Sequence, residues 1–144
     1  MMDDLIRILH GGSYTLVLNT SESKRGEIRT FTGRGISDLF RLFKQNPEIL
    51  EGAMLADKVV GKGAASLMIL GNVREVHADV ISKTALDLFR NSDVRFSYDE
   101  LVPKIWNRAH TDSCPVEKLC MNAVTAEACL PLIEGFVESL ECQV

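Results

Sequence analysis

Between Asp57 and Gly63 the chain reads DKVVGKG, the first place where residue types and spacing permit chemistry. A glycine lets the backbone turn closely, a helix start presents unpaired N–H groups, and Lys62 adds a positive charge, which together suit a small anion. Asp57, Lys58, Gly61 and Lys62 are therefore candidate ligand-binding residues. A nucleoside-triphosphate loop is excluded: its opening glycine is missing, and Gly63 stands where serine or threonine would hold magnesium. The plainer alternative is that Gly61 only permits a turn and Lys62 only solvates a helix start.

A second constellation lies in NRAHTDSCPVEKLC, Asn107 to Cys120. With Cys114 as N-cap and Pro115 at the first helical position, Glu117 falls third, where its carboxylate can reach back to the cap N–H. The Cys114 thiol then sits at a positive helix end, a setting that favours thiolate and makes Cys114 a candidate nucleophile, with Glu117 as its orienting partner. Asn107 and Arg108 are candidate substrate or anion ligands, and His110 adds nearby charge. The competing reading is a capped helix with a buried thiol.

His77-Ala78-Asp79 imitates the His-x-Glu element of zinc deaminases but departs from it: aspartate replaces glutamate, and the triplet lies in strand alternation. Cys114 and Cys120 are six apart and point to different sides of a helix, so they make no two-cysteine metal corner. Cys129 and Cys142 read as packing or surface residues, and His10 as a helix C-terminus. The pattern assigns no metal and no cofactor.

The elements that must position these residues follow from periodicity. Residues 3–10 form a short helix ending at Gly11-Gly12, then Tyr14 to Asn19 and Glu27 to Phe31 form an antiparallel hairpin with a polar loop. Ser37 caps a second helix that Pro47 interrupts. A buried strand over 52–60 feeds a buried helix after Gly61, whose alanines imply close packing on a sheet. The strand over 73–81 alternates Val73, Glu75, His77 and Asp79 against Arg74, Val76, Ala78 and Val80. Ser82 caps the next helix, 94–98 is a further strand, and 104–106 is a last short one. The C-terminal run repeats Cys129, Leu132, Ile133, Phe136, Val137 and Leu140 at helical spacing, with Pro131 obscuring its start. Strand-helix alternation after a hairpin implies a mixed-sheet α/β sandwich in one domain spanning residues 1–144.

Composition agrees. A chain of 144 residues with 46% hydrophobic and 25% charged residues can build one core without metal or disulfide staples. Its formal charge of -4 disfavours general nucleic-acid binding, which needs a basic surplus. The N-terminal apolar stretch is too short and charged for a signal peptide or membrane span, and four cysteines confined to the last third read as reduced thiols of a cytoplasmic protein.

Taken together, DKVVGKGAASLMI, the preceding GRGISDLF and the later NR…CPVE group resemble an uncharacterised prokaryotic family, domain of unknown function 1893. The resemblance covers nearly the whole chain and implies a cytidine-deaminase-like fold, a three-layer α/β/α sandwich. In active deaminases of that fold the metal ligands start two helices. The matching places here are Gly61-Lys62-Gly63 and Ser82-Lys83-Thr84, and neither offers histidine or cysteine. The resemblance therefore implies the scaffold without zinc-activated water. Three functions compete: a binding domain for a small anionic or nucleotide-like ligand at the strand-end cleft, a cysteine-dependent enzyme using Cys114, and a homo-oligomeric structural or regulatory subunit.

Overall fold

The computed structural model describes residues 2–21, 23, 26–33, 36–105 and 115–141. Its first half runs α1 (Met2–His10), β1 (Leu16–Asn19), β2 (Ile28–Phe31), α2 (Ser37–Gln45) and α3 (Pro47–Leu50). There follow β3 (Met54–Val60), α4 (Lys62–Leu70), β4 (Glu75–Ser82), α5 (Lys83–Arg90), β5 (Arg95–Val102), α6 (Pro115–Cys120) and α7 (Ala126–Glu141). The five strands make one mixed sheet in the order β2-β1-β3-β4-β5. β1 is antiparallel to β2 and β3, whereas β3, β4 and β5 run parallel, each joined to the next through a helix.

Alternation along β1 distributes the core. Val17 packs with Leu5 and Leu9 of α1 and with Ala56, while Leu16 and Leu18 belong to a larger cluster that takes residues from α2 and from α4 to α7. Leu5 and Leu9 are fully buried, each contributing about 2 kcal/mol through area removed from water. Asp3 and Asp4 in the first turn of α1 and Arg7 and His10 in its last complement the helix dipole. Phe89 of α5 stacks on Phe96 of β5 with ring centroids 5.7 Å apart, closing the far side of the larger cluster. No helix among the described residues is long and apolar enough to cross a membrane.

Several local expectations change. Ser37 is the first helical residue of α2, and the capping position falls on Ile36, which has no side-chain cap bond. Asp38 in the first turn reaches back outside the helix, accepting from Gly33 N–H at 2.8 Å and occupying the space where a side chain at Gly33 would lie. Pro47 begins the separate helix α3, a position that needs no N–H donor. β5 continues through Asp99 and Glu100 to Val102, four residues beyond the apolar run, because its acidic side chains remain exposed to water. Lys104 and Ile105 are not in a strand; Trp106 lies outside the described residues. α7 starts at Ala126, with the Thr125 hydroxyl accepting from Ala128 N–H, and it accommodates Pro131 in its interior. Of its expected apolar face, Cys129, Ile133 and Val137 are buried, whereas Leu132 is exposed.

The alanines of α4 answer to helices as much as to the sheet. α4 packs against α2, α5, α6 and α7, which is why Ala65, Ser66, Leu67 and Met68 are all fully buried. Gly63 permits the closest of these approaches: a Cβ there would overlap Val116 Cγ1 of α6 and press on Ile36. Gly63→Ala is expected to lower stability by about 2 kcal/mol through overpacking, read as a reduced urea midpoint at unchanged slope.

Candidate functional site

Two helices begin side by side where β3 and β4 end, and one carboxylate joins them. Glu117 of α6 is only 8% exposed, and its Oε1 accepts from Lys62 N–H at 2.8 Å and from the Ser82 hydroxyl at 2.9 Å. Its Oε2 accepts from the Thr84 hydroxyl at 3.3 Å. Ser82 Oγ in turn accepts from Ala85 N–H at 3.2 Å, so the expected cap of α5 is present and is itself held by Glu117. The expected reach of Glu117 back to its own helix cap falls on Cys114, outside the described residues; among the described residues the carboxylate accepts from Lys62, Ser82 and Thr84. Unpaired N–H groups at a helix start attract an anion, and this protein supplies that anion from its own chain.

The same contact explains Gly61. Its φ of -99° is ordinary extended backbone, so conformation does not require glycine there. Space does, because a Cβ at Gly61 would lie 2.5 Å from Glu117 Oε1 and 3.2 Å from Ile105. The glycines of DKVVGKG thus admit α6 and its carboxylate.

Lys62 extends from this junction into a cavity of about 270 Å³. Thr84, Asp87 and Asn91 of the α5 side and Met121 and Asn122 after α6 line it too. Lys62 is 6% exposed, and its Nζ donates to the Met121 carbonyl at 3.4 Å. Its backbone carbonyl accepts from the Ser66 hydroxyl at 2.8 Å, which fixes the first turn of α4. Of the residues singled out in the sequence, the structure brings together Gly61, Lys62 and Glu117. Asp57 and Lys58 do not line the cavity: Asp57 Oδ1 accepts from Val59 N–H, and Lys58 N–H is committed to Thr15 O across the sheet. Asn107, Arg108 and Cys114 lie outside the described residues.

Thiol chemistry has a clear limit among the described residues. Cys120 and Cys129 are fully buried, and burial pushes the Cys120 thiol up to about 12, with Cys129 as its next neighbour adding to the rise. A thiol so placed is an apolar packing group at neutral pH.

A separate group of polar side chains occupies the face of β4 turned away from the larger core. Val76 and Ala78 belong to that core, so alternation places His77 and Asp79 on the α1 side, where His10 Nε2 lies 2.7 Å from Asp79 Oδ2. In the sequence the alternation is visible, and His10 reads only as a helix end. The signal that was available was a histidine and an aspartate two apart on the polar side of a strand with parallel neighbours on both edges.

The family described as TM1506, domain of unknown function (DUF1893), matches residues 4–137. The chain belongs to the DUF1893 family. A crystal structure of a DUF1893 family protein (TM1506) from Thermotoga maritima superposes with a TM-score of 0.83 at 29% identity, covering 93% of this chain and 88% of that one. No curated protein matches the DUF1893 chain.

Two predictions test this geometry. Glu117→Ala strands the donors of Lys62, Ser82 and Thr84 in a buried junction, and a loss of about 3 kcal/mol is expected in denaturant unfolding; Glu117→Gln, which keeps an acceptor, loses about 1 kcal/mol. Asp57 gives a pH dependence. Burial raises its carboxyl to about 7 against an ordinary 3.8, opposed by the N–H groups of Val59 and Lys58 and assisted by the charge of Asp79. The folded state therefore holds a proton that the unfolded chain has released, so this group's contribution falls as pH rises from about 4 to about 7. Asp57→Asn, neutral throughout, is expected to match wild type at pH 4 and exceed it at pH 8 by on the order of 2 kcal/mol, measured by urea unfolding in EDTA.

Proposed function

We propose that this protein is a ligand-binding domain of cytidine-deaminase-like, three-layer α/β/α architecture, and that the cavity beside Lys62 takes a small anionic or nucleotide-like metabolite. The observation that carries the reading is a nearly buried lysine whose charge faces a cavity and whose Nζ has, among the described residues, a single long bond to a backbone carbonyl. Such a cation is expensive to bury and retains donor capacity for a ligand. Part of the remaining lining is polar, with the Thr84 hydroxyl, the Asn91 and Asn122 amides and the Asp87 carboxylate beside the Lys62 charge, and Leu88, Met121, Ala123 and Val124 give it an apolar side. A volume near 270 Å³ is at the small end of ligand pockets, which favours one ring or one phosphorylated fragment over a dinucleotide.

Glu117 refines where the ligand's anion sits. In deaminases of this architecture the starts of two helices hold zinc, whereas here the corresponding starts of α4 and α5 are bridged by a carboxylate. A second anion in the same N–H cradle would meet Glu117 at close range and be repelled. The ligand's negative group therefore belongs on the Lys62 ammonium, toward Asn122 and Thr84. This reading is of a binding or regulatory domain rather than a hydrolase.

Thermal shift with nucleotides and phosphorylated metabolites tests it. A ligand present at a hundred times its dissociation constant should stabilise wild type by about 2.7 kcal/mol, a rise of several degrees, and Lys62→Met, which keeps the aliphatic stem, should lose most of that rise. Absence of any stabilising metabolite, or equal shifts in both proteins, would defeat the proposal.

A further inference from the structure

The cluster on the α1 side of the sheet carries a second site, independent of the Lys62 cavity. β4 and β5 pair in parallel with His77 opposite Ser97, so alternation sets His77 and Asp79 on β4 beside Ser97 and Asp99 on β5, all on one face. His77 is 94% withdrawn from solvent in a position where both ring nitrogens need accounting for. Its Nδ1 lies 2.8 Å from the Ser97 hydroxyl. Its Nε2 has no hydrogen-bond partner, and neither has Asp79 Oδ1, and these are the two buried side-chain polar atoms left unpartnered among the described residues. Both point into the same gap. Nε2 stands 3.7 Å from Asp79 Oδ1 and 3.5 Å from Asp99 Oδ2, and one nitrogen and two carboxylate oxygens lie within 4.8 Å of one another.

These separations discriminate between two uses of the cluster. Direct hydrogen bonds would draw the atoms to about 2.7–3.2 Å. Ligands arranged tetrahedrally around an ion at about 2.1 Å stand about 3.4 Å apart, close to the separations from Nε2 to the two oxygens. We propose that His77, Asp79 and Asp99 bind a divalent first-row transition cation, with Nε2, Oδ1 and Oδ2 as its three protein ligands and the remaining positions open to water or an exogenous ligand. The donor set is one imidazole and two carboxylates, hard enough for manganese or iron and made of ligand types that zinc also takes. Two carboxylates neutralise the ion's charge.

The surroundings already perform the work of outer ligands. Ser97 orients the imidazole through the nitrogen that does not face the gap, and His10, from the end of α1, holds Asp79 by its other oxygen and leaves Oδ1 directed inward. The Asp99 side chain is 63% exposed, so the gap opens to solvent on the β5 side and an ion has a path in. With three protein ligands the site has the open form associated with reactive rather than purely structural ions.

The test uses tag-free, chelator-stripped full-length protein and isothermal titration with Zn²⁺ and Mn²⁺, followed by Co²⁺ absorption. One ion per chain is expected for at least one of the metals, with a raised melting temperature. Ser97→Ala should weaken binding about tenfold, and Asp99→Asn, an exposed position that does not threaten folding, should weaken it further. His77→Gln should abolish it, with circular dichroism confirming the fold. The cobalt spectrum should show bands from nitrogen and oxygen ligands without thiolate charge transfer, which separates this site from the cysteines. Failure of both metals to bind at one per chain, affinity unchanged in Asp99→Asn, or a thiolate band would overturn the proposal. None of these results depends on whether a metabolite occupies the Lys62 cavity.

Discussion

The Glu117 carboxylate lies where three chain segments distant in sequence must meet, and their meeting satisfies donors that would otherwise be stranded. α4 and α5 both start at the ends of parallel strands, and each leaves N–H groups without helical partners. Glu117 accepts directly from the first residue of α4 and holds, through Ser82, the cap of α5. Its own helix is thereby fixed over both starts, with Val116 seated against Gly63 and Cys120 in the core beneath. Removing the carboxylate would leave more than a missing bond, because two of the donors it satisfies, Lys62 N–H and the Ser82 hydroxyl, are buried away from water. The placement of α6, the glycine at position 61 and the position of Lys62 follow from this one contact, and Gly63 admits Val116 beside it.

That contact also separates binding from chemistry in the junction. A helix start that has been given an internal anion is no longer a phosphate cradle, so the positive charge available to a ligand shifts outward to Lys62. The cavity there is small, polar on several sides and bounded by the turn after α6. The polar cluster of His10, His77, Asp79 and Asp99 works by the opposite logic. Its donors and acceptors are held by outer partners yet leave two inward-facing atoms unsatisfied, which is a costly arrangement in a sheet unless something fills the gap. One site is closed by the chain itself, and the other is left open by it.

Much of the secondary structure was legible because each element declares itself locally. The β1 and β2 hairpin, the apolar run of β3, the alternation of β4 and the Ser82 cap of α5 depend on period and near-neighbour hydrogen bonds, and these were read at nearly the observed bounds. Misreadings fell where a tertiary contact replaced a local one. Ser37 has the type of an N-cap but is itself helical, and Asp38 reaches back to accept from Gly33 N–H. β5 outlasts its apolar pattern because Asp99 and Glu100 stay wet while the backbone keeps pairing with β4. The C-terminal helix tolerates Pro131, with its start held by Thr125 and its inner face anchored by Cys129, Ile133 and Val137.

The residues of the two sites were visible in the sequence, but their partners were not. Periodicity and residue type determined that Lys62 opens a helix after glycine, that Glu117 lies in the first turn of another, and that His77 and Asp79 share the polar face of a strand. Only the folded chain decided that Glu117 serves the starts of α4 and α5, that Asp57 and Lys58 stay away from the cavity, and that His10 crosses 69 positions to hold Asp79. The reason is range. Helical and strand periods act over a few residues, whereas strand order and helix packing choose which distant donors and acceptors are buried together, and burial is what makes their pairing energetically decisive.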